Sequence, residues 1–270
     1  MGLGKQVRLN RLFAHPSGHF CSVAVDHFIG YQLGLPAGLR DLGGTLETIV
    51  AGRPDAISMH KGAALGFWPR YAGRVPFILQ SVLGRPDDTA DEPAATPEDA
   101  VRLGADAIAT LAFVGGRTEA AHVRRVADCV REAEAWDLPV ILHTYPRRFE
   151  ADGSVRIVHE PEDIAWAVRC GIEVGVDVIK VPYTGDPATY GQIVRGCPVP
   201  VVAAGGPKTD SLPEALRVAS GVMASGAKGM TVGRNIWGFP KVAQALAAFK
   251  AVIHDGATPE EALRRAERGD

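Results

Sequence analysis

The sequence predicts an α/β protein, a single (β/α)8 TIM barrel, on three observations. Eight short apolar, β-branched runs recur along the chain, windows of helical period separate most of them, and 270 residues is the length such a barrel needs. A doubly wound open sheet is disfavoured because no Gly-x-Gly-x-x-Gly follows the first run.

The runs are FCSVAVD (20–26), DAISMH (55–60), VPFILQSV (75–82), AIATLAFV (107–114), PVILHTY (139–145), VDVIKVPY (176–183), VPVVAAGG (199–206) and GMTVGR (229–234). They are nearly continuously apolar, as strands covered on both faces are. Helical windows follow as GLRDLGGTLETIVAG, TPEDAVRLGA, TEAAHVRRVADCVREAEAW, EPEDIAWAVRCGIEVG, LPEALRVASGVMASG and KVAQALAAFKAVIHDG. Most open on an acidic or hydroxyl residue and close on glycine, the polarity of capped helices. Residues 1–19 form a segment ahead of the first strand and 240–270 form C-terminal helices, so 1–270 is expected to be one domain.

With 46% apolar and 22% charged residues the chain can bury a sizeable core. Lysine and arginine total 29 against 31 acidic residues, a net charge of −2, without the basic excess expected of a nucleic-acid binder. Cys21, Cys129, Cys170 and Cys197 show no Cys-x-x-Cys spacing, which suits a reduced cytoplasm. No run of 18 apolar residues and no signal-peptide core occurs, so neither membrane nor secretion is expected.

Chemistry in barrels collects at the carboxyl ends of the strands. Those ends carry Asp26 and His27, His60 and Lys61, Gln80, Gly115 and Gly116, His143 and Tyr145, Lys180, Gly205 and Gly206, and Gly233 and Arg234. Two long loops on this face, 84–99 and 146–163, suit lids or substrate walls, and Asp152-Gly153 suits a small hairpin in the second.

Lys180 lies between Ile179 and Val181 in a run that otherwise reads as buried. Desolvation lowers a lysine pKa, and the neutral amine attacks carbonyls to give a Schiff base. The alternative is a strand-end lysine that snorkels to solvent or pairs with Asp186. Tyr145 suits proton transfer beside an iminium, or an aromatic plug; Asp26 suits relay of the carbinolamine water, or a helix cap. Gly205-Gly206-Pro207-Lys208 and Gly233-Arg234-Asn235 follow strands seven and eight, where barrels commonly hold phosphate, and Arg234 adds a bidentate fork. The alternative is two tight turns. His27, His60 and His143, with Asp26, permit a divalent metal, but no His-x-His or HExxH spacing supports one, so hydrogen-bonding roles without metal or cofactor are expected.

VDVIKVPYTGD, VVAAGGPK and GMTVGRNIWG, with VAVDHFIGYQLGLPAGLRDL, DAISMHKGAA, AVRLGADAI and LHTYPR, resemble the class I aldolases of the deoxyribose-phosphate aldolase-like superfamily, above all archaeal-type fructose-bisphosphate aldolases and the 2-amino-3,7-dideoxyheptulosonate (ADH) synthase group. The resemblance implies that Lys180 is the imine lysine, Tyr145 the proton shuttle and Asp26 the first-strand aspartate. It places the donor phosphate of a phosphorylated ketose at Gly205, Gly206, Gly233 and Arg234, and it implies a homo-oligomer, a ring or stacked rings. A transaldolase-type transfer uses the same residues.

Departures fall on the acceptor side. Phe28 stands where the pattern Asp-His-Gly has glycine, Arg148 replaces the glycine of Tyr-Pro-Arg-Gly, and His143 stands where relatives carry an apolar or tryptophan side chain. Lys61, His27, His143 and Arg148 are therefore expected around the substrate, and the pair Arg147-Arg148 predicts an anionic acceptor. Two other functions stay open: a metal-dependent lyase or hydrolase using the strand-end histidines, and a non-catalytic barrel that binds a sugar phosphate.

Overall fold

The computed structural model describes residues 2–30 and 34–268. Residue 1, residues 31–33 of the motif after the first strand, and residues 269–270 at the end of the predicted C-terminal helices lie outside the described residues.

The eight predicted strands are all present, as β1 (Phe20–Ala24), β2 (Ala56–His60), β3 (Phe77–Gln80), β4 (Ala107–Val114), β5 (Val140–Phe149), β6 (Val178–Val181), β7 (Val201–Ala204) and β8 (Gly229–Val232). Each pairs in parallel with its neighbours in sequence, and β8 returns to β1 through Phe20↔Gly229 to close a (β/α)8 barrel. An aspartate just before three strands ties down the strand preceding it in the barrel. Asp55 accepts from Cys21 N at 2.6 Å, Asp106 from Phe77 N at 3.2 Å and Asp177 from Val140 N at 2.8 Å.

The predicted helical windows become α2 (Leu42–Ala51), α4 (Pro97–Arg102), α5 (Glu119–Glu134), α6 (Pro161–Val174), α8 (Leu212–Ala224) and α10 (Val242–Asp255). Their signals are local: Asp41 and Ser211 accept from backbone N–H groups at the starts of α2 and α8, Thr96 and Asp99 form a capping box on α4, and Gly175 ends α6 in the left-handed region.

Among the described residues, five α-helices lie outside those windows: α1 (Leu3–Leu12), α3 (Lys61–Phe67), α7 (Pro187–Gly196), α9 (Arg234–Trp237) and α11 (Pro259–Arg268). The segment before the first strand is thus largely helical. Leu12 of α1 is buried with Phe20, Ala56, Ile78, Ala107, Ile141 and Val178, and Lys5 pairs with Asp177 at 3.1 Å, so α1 plugs the amino-terminal end of the barrel. No described helix is long and apolar enough to cross a membrane.

Both long loops fold back as antiparallel hairpins. Val82–Gly84 pairs with Asp91–Pro93 after β3, and the outer end of β5 pairs with Val155–Ile157, turned at Gly153 with φ +83°. They stand over the carboxyl-terminal mouth, to which Val82, Gly84 and Ile157 contribute.

Candidate functional site

Three adjoining cavities run across the mouth: about 350 Å³ at the β7 and β8 loops, about 300 Å³ at the centre and about 610 Å³ at the β1 and β2 loops. The central one is lined by Asp26, His60, Gln80, His143, Tyr145, Lys180 and Arg234. Side chains predicted from five strand ends and the β8 loop therefore meet in one place.

Lys180 sits in β6 in register with His143 of β5 and Val202 of β7, and is 6% exposed. Asp186 does not serve it; that carboxylate accepts from Thr189 N at 2.8 Å and caps α7. Asp26 receives Ser58 Oγ and Gln80 Nε2, each at 3.4 Å, and His27 Nδ1 lies 3.7 Å from its other oxygen. Burial works to raise the Asp26 carboxyl, but the charge of Lys180, then of His27, His143 and His60, brings it down to about 2. Asp26 is an ionised carboxylate at neutral pH.

The histidines go the other way. Burial, against the pull of Asp26, lowers His27 to about 4, and burial together with Lys180 takes His143 well below the ordinary value. Both are neutral imidazoles at pH 7. His143 Nδ1 shares a 3.1 Å hydrogen bond with Gln80 Nε2, while Gln80 Oε1 accepts from Val82 N at 3.2 Å. Gln80 thereby links the carboxylate, the imidazole and the first hairpin. In the sequence it belongs to the polar ring without a role, and its signal is the polar pair Gln80-Ser81 in the otherwise apolar run VPFILQSV. Tyr145 lies 6.0 Å from Phe113, ring to ring, and lines both the central and the β7–β8 cavities, as Lys180, His27 and Arg234 also do.

Gly205, Gly206, Gly233 and Arg234 all line the cavity at the β7 and β8 loops. A Cβ on Gly233 would stand 2.5 Å from His27 Cε1 and 2.9 Å from Ala24 O, and one on Gly205 would stand 2.9 Å from Val232 Cα. Close approach, as well as turning, requires glycine here. Asn235 holds the two loops together: its Nδ2 donates to Gly205 O and Pro207 O, both at 2.9 Å, and its Oδ1 accepts from Thr209 N at 2.9 Å. Asn235 stands within the motif GMTVGRNIWG, where nothing in the sequence marks this role.

Two of the predicted substrate residues lie away from the central cavity. Lys61 begins α3, pairs with Asp99 at 2.7 Å and lines the β1–β2 cavity instead of the central one. Arg148 lies outside all three cavities. The hairpin places it opposite Arg156 and half exposed, where it pairs with Asp163 and Glu160. Arg147 is buried and bonded to Asp88 at 2.6 Å, to Thr118 Oγ1 at 2.6 Å and to Gly115 O at 3.1 Å. The doubled arginine fastens hairpins, Arg147 on Asp88 and Arg148 on Asp163. As for the metal alternative, no three His, Cys, Asp or Glu side chains among the described residues are grouped to hold an ion.

Comparison with known proteins agrees with this geometry. The DeoC/LacD aldolase family matches residues 20–238. The 2-amino-3,7-dideoxy-D-threo-hept-6-ulosonate synthase of Halobacterium salinarum is 34% identical over 266 residues, covering 97% of this chain and 96% of its own. The class 1 fructose-bisphosphate aldolase of Thermoproteus tenax is 36% identical over 188 residues, 68% of each chain. An archaeal fructose-1,6-bisphosphate aldolase whose catalytic lysine is covalently bound to the carbinolamine intermediate superposes with a TM-score of 0.81 at 29% identity, over 93% of this chain and 99% of that one.

Proposed function

Because the chain belongs to the DeoC/LacD family of aldolases, we propose that Lys180 is its imine-forming residue and that a phosphorylated ketose, or a donor resembling dihydroxyacetone phosphate, is its substrate. The enzyme is a class I aldolase, a lyase working through a lysine Schiff base like its fructose-bisphosphate aldolase and ADH synthase relatives. The observation that carries the assignment is the position of Lys180, buried in β6 and lining both the central cavity and the glycine-walled one.

Lys180 sheds its ammonium proton and adds as the amine to the donor ketone, and loss of water from the carbinolamine gives an iminium. Asp26, ionised beside it, is the countercharge to that cation and relays to the ketone oxygen the protons that the lysine nitrogen gives up, so that this oxygen leaves as water. In the synthetic direction the iminium loses an α-proton, which in the end restores Tyr145, and the resulting enamine carbon attacks an aldehyde carbon. The aldehyde C=O electron pair moves to oxygen, which takes its proton from Tyr145, and hydrolysis of the new iminium frees Lys180. Cleavage is the reverse. The donor phosphate rests among Gly205, Gly206, Gly233 and Arg234, so that binding energy remote from the reacting carbon fixes its orientation. Neutral His143 and His27 serve as hydrogen-bonding walls.

The same reading makes the chain one aldolase domain and a cytoplasmic homo-oligomer. In support of the cytoplasm, its four cysteines are unpaired, and burial pushes the thiols of Cys129 to about 12 and Cys170 to about 11. The direct test is release of a ketose phosphate donor from sugar-phosphate substrates. It should persist in EDTA and vanish in Lys180→Met; loss in EDTA with recovery on added zinc would favour the metal-dependent alternative.

A further inference from the structure

The two cavities that flank Lys180 differ in chemistry. The one at the β7–β8 loops is made of glycine backbone and Arg234, whereas the larger one at the β1–β2 loops is walled by Phe28, Leu35, Leu39, Leu42, Leu65 and Leu83. It shares His27, Phe28 and His60 with the central cavity, so the space around Lys180 continues past Phe28 into it. Phe28, Leu35 and Leu65 are 62%, 64% and 59% exposed, apolar side chains arranged around open space and not packed in the core. Among the described residues lining it, Lys61 supplies the one lysine or arginine charge. That ammonium is 2.7 Å from the Asp99 carboxylate, whose pKa it lowers by its hydrogen bond. Arg147 and Arg148, the charges that the sequence offered to an anionic acceptor, are bound to Asp88 and Asp163 elsewhere.

We propose that this cavity is the acceptor subsite and that the second substrate is an aldehyde carrying an alkyl or aryl group, a step that rests on Lys180 forming the donor imine. The phosphate end, the reacting carbon and the apolar end then lie in series. The enamine carbon bonds to the aldehyde carbon in the central cavity, the carbonyl electron pair goes to oxygen and is protonated by Tyr145, and the apolar substituent extends past Phe28 toward Leu65. A phosphorylated aldehyde in that place would bring a dianion to a wall whose one lysine charge is already paired. An apolar substituent instead loses water-exposed surface.

The test compares acceptor aldehydes from propanal to hexanal, and glyceraldehyde 3-phosphate, with dihydroxyacetone phosphate as donor. Rates are normalised to the fraction of enzyme that borohydride traps with the donor. kcat/KM should rise about fourfold for each added methylene, the factor that burying one methylene supplies at 25 °C, and hexanal should exceed glyceraldehyde 3-phosphate. Leu65→Asp, at an exposed position, should flatten the series, and Phe28→Ala should move its optimum to longer or branched aldehydes. A flat wild-type series, or one that Leu65→Asp leaves unchanged, overturns the proposal. A parallel NMR titration with propan-1-ol to hexan-1-ol, which form no imine, reads the cavity without any donor. Affinity should climb with chain length and lose that climb in Leu65→Asp, and absence of binding overturns the proposal by itself. Failure of dihydroxyacetone phosphate to be trapped speaks against the donor assignment alone, and the alcohol series still decides the cavity.

Discussion

Asp26 stays ionised because Lys180 faces it: burial would raise the carboxyl, and the lysine charge is the largest of those that bring it down to about 2. The pair is matched to a reaction that makes a cation at the lysine nitrogen. Asp26→Asn keeps the shape and removes the charge, so borohydride trapping and turnover should both fall, by about 10²-fold or more. Trapping at the wild-type rate would show that Asp26 is a structural acceptor for Ser58 and Gln80.

Tyr145 enters at a later step. Phenylalanine retains the ring against Phe113 and removes only the hydroxyl, so Tyr145→Phe should be trapped normally while kcat drops by roughly 10²–10⁴-fold. Near-normal kcat would make Tyr145 an aromatic wall and move the search for a proton donor to His143 and His60.

Arg234 should discriminate phosphate from its absence. Truncation to alanine should cost about 2–5 kcal/mol in interaction with a phosphorylated donor, the scale for losing one partner of a buried charge pair, and much less with dihydroxyacetone. Equal losses for both ligands, measured as kcat/KM, would indicate that Arg234 acts on folding.

The neighbouring arginines 147 and 148 should separate sharply in stability. Arg147→Met strands the Asp88 carboxylate, which hydrogen bonds from Arg147, Thr118 and His122 draw down to about 2 in spite of desolvation. The expected loss is about 3 kcal/mol, the low end for a broken buried pair because Asp88 is 22% exposed. Arg148→Ala removes a half-exposed pair and should cost under about 1 kcal/mol. Urea denaturation of both variants settles the comparison; similar losses would refute the placement of Arg148 on the outer side of the hairpin.

Acid should loosen the fold before it reaches the carboxylates. His27 is lowered to about 4 and His143 well below its ordinary value, chiefly by burial, against about 6.5 in an unfolded chain. The unfolded state therefore binds more protons between those values. The contribution of the neutral imidazoles is complete above about pH 6.5 and is lost as pH falls toward about 4. His143→Gln should flatten the decline of the urea midpoint over that range. An unchanged slope would mean that His143 is protonated in the folded state.

The barrel was legible because each strand is an apolar run bracketed by turn residues, and Lys180 because one charge in Val178–Val181 contradicts the burial of its neighbours. Gly205 and Gly233 were legible by position after the last two strands. What escaped depended on three-dimensional register. The sequence does not say on which side of a hairpin Arg148 emerges, nor that Gln80 reaches across to both Asp26 and His143. Helix α7 escaped because Gly191 interrupts its pattern, although Asp186-Pro187 is a sound start signal. Helix α1, rich in charge, showed its purpose only when Leu12 was found inside the barrel floor.

Reduction with borohydride in the presence of dihydroxyacetone phosphate, followed by peptide mass spectrometry, tests the role of Lys180 most directly. The expected result is one adduct, on the peptide containing Lys180, absent from Lys180→Met. An adduct on Lys61 or Lys208, or turnover that persists in Lys180→Met, would contradict it.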